Sequence, residues 1–187
     1  HDDYLGDGGP RHWRDLWLRI EGPAATRASD YFDAIYRWTT RKGAKLRTLR
    51  RLVNKYSDSS GALQWKLSGP LRLRNPWPTS FVRDMLEAGR LDVISAYFSP
   101  PRSLLRRIGR LGARGRVRVI TAGKSDNNAT IAAARHNYSR MFRRGVDMYE
   151  YQAARLHTKL IILDDVVYIG SANFDFRSFY INLEIML

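Results

Sequence analysis

The stretch LHTKLIILDDVVYIGSANFDFRS, residues 156–178, contains the patterns that decide the fold. Together with the last residues of the chain, it predicts three short strands: LHTKLIIL, VVYIG and NLEIML. Side chains two residues apart on a strand point to the same face, so His157 and Lys159 are expected to lie side by side. The head of the first strand therefore places an imidazole next to an ammonium group.

Outside this stretch, strand and helix patterns alternate along the chain. Strand patterns occur at 15–20, 62–68, 91–98, 116–120 and 146–151. Helix patterns occur at 23–38, over the basic segment 41–55, near 79–89, after the Pro100-Pro101 pair, and over 125–145. This alternation predicts an α/β fold, a layered sandwich in which a mixed β-sheet is flanked by helices. The polar segment 57–61 is the best linker candidate.

The chain is strongly basic, with 32 Lys and Arg residues against 18 Asp and Glu residues and a net charge of +14. Such an excess favours a polyanionic partner, either nucleic acid or an anionic membrane surface. Segment 41–55 holds seven basic side chains and no acidic one, and its apolar residues are spaced for one helix face: Leu46, Leu49, Leu52 and Val53. A second group follows the proline pair: Arg102, Arg106, Arg107, Arg110, Arg114, Arg116 and Arg118. Solvated helix faces explain either cluster equally well.

Composition excludes several functional classes. The longest apolar runs, such as LIIL at 160–163, are far shorter than the roughly 20 residues that cross a bilayer. The absence of cysteine excludes disulfides, thiol catalysis and cysteine zinc sites. The 187 residues are enough to bury the core of one domain or of two small ones.

The imidazole and the ammonium group suit a phosphate ester. Lys159 would neutralise the non-bridging oxygens while His157 attacks phosphorus or protonates a leaving oxygen, chemistry that needs no metal or other cofactor. Asn173 could donate its amide to the same phosphate, and the small Gly170 and Ser171 would allow close approach of the backbone. A lone histidine on a half-buried strand is more often structural. The full pattern His-x-Lys-x4-Asp-x5-Gly-Ser-x-Asn, however, would arise by chance only about once in 10⁶ trials.

These residues resemble the HKD signature of the phospholipase D superfamily, and the pattern continues from Asn173 as Asn-Phe-Asp-x-Arg-Ser. Four further segments are similar to bacterial cardiolipin synthases: WRDLWLRIEGPA at 13–24, SAYFSP at 95–100, GKSD at 123–126 and GVDMYEY at 145–151. The resemblance covers most of the chain. It implies a phospholipase D-like layered sandwich, and it makes Lys124 in GKSD a candidate substrate-binding residue.

The resemblance also implies a two-step phosphodiester exchange at a site where two such motifs face each other. One histidine forms a covalent phosphohistidine, and the other acts first as an acid and then as a base. His157 belongs to the second motif and is the expected acid, which protonates the departing alcohol. The role of nucleophile stays open for it.

Roles for the neighbouring residues follow from the same resemblance. Lys159 and Asn173 are expected to bind the phosphoryl oxygens, with Ser171 nearby. Glu184 corresponds to the carboxylate that orients the histidine and stabilises its imidazolium. Asp164 completes the motif and is expected to be a structural partner rather than a reactant.

The chain departs from the family pattern because it contains only one HKD motif. None of its other histidines is followed two residues later by lysine: His1, His12 and His136. DYLG at 3–6 and the segment 13–24 resemble instead the sequence that comes after the first motif in two-motif enzymes. The isolated chain is therefore expected to be inactive without the other motif.

A carboxylate heads an apolar run near both ends of the chain. Glu184 does so in the last predicted strand, and Asp15 does so near the start, where it would orient a histidine that this chain lacks. We therefore expect an internal fragment of a longer enzyme. Residues 1–58 would be the tail of a first phospholipase D-like half plus a basic helical linker, and residues 59–187 a second half truncated at its C-terminus.

Three functions remain open from the sequence alone. The first is a cardiolipin synthase-like phosphatidyltransferase that acts on an anionic phospholipid such as phosphatidylglycerol, at a bacterial inner-membrane surface, with its missing N-terminal half or a second copy. The second is a nuclease or phosphodiesterase of the same superfamily that completes its site as a homodimer, although the segment 13–24 makes nucleic acid the less favoured partner. The third is a module that binds phosphate without catalysis.

Overall fold

The computed structural model describes residues 12–70, 75–125 and 128–187. Its helices are α1 (Pro23–Thr40), α2 (Leu46–Tyr56), α3 (Pro76–Asp84), α4 (Arg102–Gly112), α5 (Asn128–Phe142) and α6 (Phe176–Tyr180). Its strands are β1 (Trp13–Arg14), β2 (Lys66–Ser68), β3 (Arg90–Ser95), β4 (Phe98–Ser99), β5 (Arg116–Ala122), β6 (Val146–Tyr151), β7 (Arg155–Leu156), β8 (Lys159–Leu163), β9 (Val166–Ile169), β10 (Phe174–Asp175) and β11 (Glu184–Met186). The predicted segment 3–6 and Asp126 of the GKSD stretch lie outside the described residues.

A five-stranded mixed sheet forms the centre of the fold, in the order β6-β5-β3-β8-β9. Strands β3, β5 and β6 run parallel, whereas β8 is antiparallel to both β3 and β9. The connections β3 to β5 and β5 to β6 pass through α4 and α5, as parallel neighbours require. The predicted α/β fold with a mixed sheet is confirmed.

One face of this sheet carries the main core. Val93, Val119 and Ile161 are register partners across three adjacent strands and are almost completely buried. They pack with apolar side chains of α3, α4 and α5 and with a cluster of aromatic rings: Trp77, Phe81, Phe98, Phe174 and Phe179. The core thereby fixes the position of β8, whose first residue is Lys159.

A smaller layer consists of the α1–α2 hairpin on the β2–β11 strand pair. Leu49 and Val53 of α2 have no exposed surface and pack against Tyr31 and Leu67. The predicted basic amphipathic helix is therefore present, although it begins at Leu46. Its start is later than predicted because residues 41–45 form the turn between the two helices, where Gly43 has a φ of 71° that favours glycine.

The polar segment 57–61, predicted as a linker, is tied to the fold at its start. Ser57 Oγ accepts a hydrogen bond from Leu67 N at 3.1 Å, and an Asp58 carboxylate oxygen accepts one from Trp65 N at 2.8 Å. Asp58 also forms an ion pair of 2.7 Å with Arg27 of α1. These bonds lock the α1–α2 hairpin onto β2.

The strand predicted at 15–20 is wrong. Only Trp13 and Arg14 pair, with β7, and the following Leu16, Trp17 and Leu18 are 46%, 72% and 53% exposed. The regular pairing stops because β7 is only two residues long, and the next two backbone N–H groups, those of His157 and Thr158, both donate to Arg14 O. None of the helices in the described part of the chain is long and apolar enough to cross a membrane.

Candidate functional site

His157 lies in the short segment between β7 and β8, beside the end of β1. Strands β1 and β7 are parallel with Trp13 opposite Arg155 and Arg14 opposite Leu156, so the next residue on each side is Asp15 and His157. The backbone N–H of His157 donates to Arg14 O at 2.8 Å, which extends this ladder. The Nδ1 atom of His157 is 2.8 Å from the Asp15 carboxylate.

The Asp15 carboxylate orients the His157 ring. A carboxylate on Nδ1 favours the tautomer that carries its proton there and directs Nε2 to the opposite side of the ring. The Trp13 ring stands edge-on to the imidazole, with ring centroids 5.4 Å apart, and limits its rotation. His157 is thus held as an oriented acid or base.

Lys159 is the first residue of β8 and is buried although it is a lysine. Its Nζ donates to the backbone carbonyl of His157 at 2.6 Å. Burial lowers the pKa of Lys159, because the charged form loses its hydration, and the nearby carboxylates of Asp15, Glu184 and Asp175 oppose that effect. A cation with little water around it and a fixed position can neutralise phosphoryl oxygens strongly.

The opposite wall of the site is built around Glu184 of β11. Its two carboxylate oxygens accept hydrogen bonds from Ser171 Oγ at 2.5 Å and from Asn182 Nδ2 at 3.1 Å. Ser171 Oγ in turn accepts from Ile185 N at 3.0 Å. Gly170 allows this close approach, since a Cβ atom at that position would lie 2.1 Å from Ile185 O.

Asn173 is positioned by the β4–β10 pair that follows it. The next backbone N–H, that of Phe174, donates to Ser95 Oγ at 2.9 Å and to Tyr97 O at 3.1 Å. The side-chain Oδ1 of Asn173 is buried and has no hydrogen-bond partner in the described part of the chain. A buried polar atom without a partner costs free energy unless a ligand satisfies it.

These residues meet in one pocket of about 380 Å³. It is lined by the following residues: Asp15, Leu16, Trp17, His157, Lys159, Gly170, Ser171, Asn173, Asn182 and Glu184. The structure therefore brings together the sequence-predicted His157, Lys159, Ser171 and Asn173. Sequence reasoning missed Leu16, Trp17 and Asn182 as lining residues, because the first two lie on a segment interpreted as a strand and the third carries no motif.

The partners of the two carboxylates differ from the prediction. Glu184 was expected to orient His157, and Asp15 to orient a histidine that the chain lacks. In the structure Asp15 contacts His157, and Glu184 is bound by Ser171 and Asn182. The reason is the strand neighbourhood: β1 lies beside β7, whereas β11 pairs with β2 and bridges to Gly170.

Two other predicted residues lie elsewhere. Asp164 occupies the β8–β9 turn, at the other end of β8 from His157, and accepts from the backbone N–H groups of Gly89 and Arg90 at 3.1 and 2.7 Å. These contacts make it a structural tie and not part of the pocket. Lys124 is exposed after β5 and does not line the pocket, so its role stays a prediction.

Across residues 12–70, 75–125 and 128–187, no group of three or more His, Asp or Glu side chains is arranged to hold a metal ion. The chemical groups gathered in the pocket are an oriented imidazole, a buried ammonium, a hydroxyl, two amides and two carboxylates. Such a set can bind a phosphate diester and transfer protons to or from its oxygens.

Comparison with known proteins shows which family the chain is similar to. The family model described as "Cardiolipin synthase, PLD-like domain" matches residues 83–187. Cardiolipin synthase A of Pseudomonas aeruginosa (strain LESB58) is 31% identical over 99% of this chain and 38% of its own length. Cardiolipin synthase A of Pseudomonas putida is 34% identical over 100% of this chain and 39% of its own length. The chain therefore spans well under half the length of these relatives.

Solved structures show the same fold. The chain resembles phosphatidylserine synthase of Haemophilus influenzae Rd KW20 with a TM-score of 0.59 and 16% identity, over 85% of this chain and 47% of that one. It resembles the phospholipase D family member Nuc of Salmonella typhimurium with a TM-score of 0.51 and 20% identity, over 65% of this chain and 80% of that one. The predicted phospholipase D-like layered sandwich is confirmed.

Proposed function

The chain belongs to the cardiolipin synthase family of phospholipase D-like domains, and from this membership we propose that its pocket performs phosphodiester exchange on phospholipids. The proposed substrate is an anionic phospholipid of the phosphatidylglycerol type. Transfer of its phosphatidyl group to a second such molecule would give cardiolipin and release glycerol. The curated relatives carry the name cardiolipin synthase A, which supports this choice of reaction.

His157 is proposed as the proton-transfer residue of the exchange. A histidine supplied by the rest of the enzyme attacks phosphorus, so that a nitrogen–phosphorus bond forms while the bond to the departing alcohol breaks. His157 Nε2 gives its proton to the departing oxygen. It then takes a proton from the incoming alcohol, whose oxygen displaces the phosphohistidine. The Asp15 contact of 2.8 Å supports this role, because it stabilises each imidazolium state.

Lys159 and Asn173 are proposed to hold the phosphoryl group during both steps. Lys159 supplies a buried positive charge, and Asn173, which lines the pocket, has a side-chain NH2 group that can donate to a phosphoryl oxygen. Donors that are already fixed in place stabilise the additional charge of the transition state without having to reorganise. Ser171 faces the same pocket and is proposed to contact substrate while Glu184 holds its hydroxyl in place.

Glu184 is proposed to orient the second imidazole. Its carboxylate lies in the pocket wall opposite the Asp15–His157 pair and is held by two neutral donors, Ser171 and Asn182. A carboxylate so placed can accept a hydrogen bond from the Nδ1–H group of a second histidine, as Asp15 can from His157. The two carboxylates thus exchange the roles that sequence reasoning gave them.

We propose further that the natural enzyme is longer than this chain. Residues 1–58 would be the tail of a first half with a basic linker, and residues 59–187 a second half. The share of the relatives' length that the chain spans supports this view, as does the contribution of Asp15 to the His157 site. The basic helix α2 is proposed to face the anionic surface of a bacterial inner membrane.

The observation that carries the proposal is the Asp15–His157 pair beside a buried lysine. Its test uses the full natural gene product and labelled phosphatidylglycerol, with cardiolipin and glycerol as the measured products. His157→Ala is expected to lower turnover by about 10⁴-fold, near the upper limit for removal of a general acid and base. A phosphatidyl group joined to the protein by an acid-labile N–P bond should be trapped on the wild-type protein during turnover. Full turnover by His157→Ala would remove His157 from the mechanism.

A further inference from the structure

A second pocket, of about 340 Å³, lies between the end of β4, the start of α4 and one side of α5. From α5 it receives Ala133, His136, Asn137 and Arg140, whose spacing of three, four and seven residues puts them on one helix face. From the other side it receives Ser99, Pro100, Arg102 and Leu105. It shares no residue with the pocket of His157.

The charge of this second pocket is entirely positive. Its lining contains two guanidinium groups, Arg102 and Arg140, and the imidazole of His136, but no acidic side chain. Asp175, the register neighbour of Ser99, is engaged elsewhere: its carboxylate caps α6 by accepting from Ser178 N at 2.8 Å. The pocket therefore has the charge complement of an anion.

Arg135 and Arg118 are already held by carboxylates of the sheet, whereas Arg102 and Arg140, like other arginines of α4, form no ion pair among the described residues. Arg135 of α5 points to the sheet and forms two hydrogen bonds with Glu150, at 2.7 and 2.8 Å. Arg118 of β5 does the same with Asp92, at 2.6 and 2.9 Å. Within residues 12–70, 75–125 and 128–187, by contrast, Arg102 and Arg140 take part in no ion pair.

The remaining lining groups are suited to a phosphate in particular. The planar fork of arginine donates two parallel hydrogen bonds to phosphate oxygens, and two arginines from different helices can grip one phosphate group from two directions. Ser99 and Asn137 add a hydroxyl and an amide, and the apolar Leu105 offers a surface to the carbon part of an ester. No side chain caps α4 at Pro101, so its first-turn N–H groups also favour an anion.

We propose that this α4–α5 pocket binds a phosphate group, as a site separate from the catalytic pocket. The phosphate belongs either to a lipid headgroup or to a soluble phosphate compound, since both present the same oxygens. Binding here is independent of the proposed transferase activity, because it requires neither His157 nor turnover.

The first test is a titration of isotope-labelled protein with inorganic phosphate, followed through the NMR signals of the arginine side chains. The Arg102 and Arg140 signals should shift together and saturate. Paired Arg135 should stay unchanged. Absence of a saturable shift at Arg102 and Arg140 would overturn the proposal, and this wild-type measurement does not depend on the folding of any variant.

The second test compares two double variants that each remove two positive charges. All four arginines are exposed, but Arg102→Gln with Arg140→Gln alters the pocket lining, whereas Arg106→Gln in α4 with Arg143→Gln just after α5 alters residues that do not line it. Phosphate affinity should fall at least about tenfold in the first and change little in the second, because only the first loses charge-assisted hydrogen bonds. Equal losses in both variants would show a diffuse charge effect and contradict a defined site.

The source of the phosphate can be identified by sedimentation with mixed phosphatidylglycerol and phosphatidylcholine vesicles. If the pocket variant loses vesicle binding by about tenfold beyond the matched variant, the site takes a lipid headgroup. If both variants bind vesicles equally while only the pocket variant loses inorganic phosphate, the site takes a soluble phosphate compound. Both assays measure binding without turnover and compare only the two arginine double variants, so their outcome is separate from a failure of the proposed catalysis.

Discussion

The pocket of His157 has two walls, each built around a carboxylate, and the two carboxylates have different partners. Asp15 holds the imidazole of His157 at 2.8 Å. Glu184 is held by the hydroxyl of Ser171 and the amide of Asn182. One wall therefore contains a carboxylate paired with an imidazole, while the other contains a carboxylate held by two neutral donors.

The walls also differ in how the fold supports them. The Asp15 wall depends on a two-residue ladder between β1 and β7, and it continues into the exposed Leu16 and Trp17. The Glu184 wall depends on the β2–β11 pair and on the bridge from Gly170 to Met186. Met186 is fully buried, so the second wall is anchored in the core.

Replacing each carboxylate by its amide should give the clearest difference between the roles of the two walls. Asp15→Asn should lower turnover of the full protein by about 10³-fold, because the imidazole loses its tautomer and its charge stabilisation. In this chain, the ¹⁵N signals of the His157 ring should shift toward the other tautomer in Asp15→Asn and stay as in the wild type in Glu184→Gln.

Asp147→Asn provides the matched control, since Asp147 is an exposed carboxylate on β6, away from the pocket. It should leave both turnover and the His157 signals unchanged. If Glu184→Gln moved the His157 signals and Asp15→Asn did not, the assignment of the two carboxylates would be reversed and the sequence-based pairing restored.

A smaller effect is expected from Ser171→Ala, which alters the anchored wall. The substitution removes a donor to the buried Glu184 carboxylate and an acceptor for Ile185 N. Loss of one donor to the buried Glu184 carboxylate should lower the free energy of unfolding by about 1–3 kcal/mol, measured by chemical denaturation. Ser139→Ala on the exposed side of α5 should change it by less than about 0.5 kcal/mol. Equal stability of the two variants would contradict the anchoring role of Ser171.

Much of the fold could be predicted from sequence because its central strands alternate buried and exposed residues. Val117 and Val119 of β5 show that pattern, and the strand forms where it was predicted. The same pattern misled at Leu16 and Leu18, where apolar alternation is present but no neighbouring strand covers it. Two-residue ladders such as β1–β7 are too short to leave any periodicity, so they could not be predicted.

The functional site, like the fold, could be predicted from the sequence only in part. His157, Lys159, Ser171 and Asn173 were predicted because a short motif fixes their spacing, and β8 with its hairpin brings them together. The partner of His157 could not be predicted, because it depends on which distant strand lies beside β7, a contact across 142 residues. Position in a motif identifies chemical groups, whereas the pairing of those groups is decided by tertiary structure.

The smallest predicted effect concerns Lys159, which stands between the two walls and is influenced by both carboxylates. Because burial lowers its pKa in the folded state, the unfolded chain binds this proton more strongly, and the cost of burying the charge is fully present below the folded-state pKa. Stability should therefore rise as pH increases from that pKa toward the ordinary lysine value. Lys159→Met removes the cost, so it should raise stability at neutral pH by on the order of 1 kcal/mol.

Thermal or chemical unfolding of Lys159→Met against wild type, repeated at several alkaline pH values, checks this expectation. The stability difference should shrink as pH rises, since the wild-type lysine loses its charge and with it the penalty. Lys42→Met, at an exposed turn position, should show no such pH-dependent difference. A Lys159→Met protein that is less stable than wild type at neutral pH would mean that attraction from Asp15 and Glu184 outweighs desolvation. Lys159 would then contribute to stability by attracting the carboxylates of both walls, and the stabilities of the two walls would be coupled.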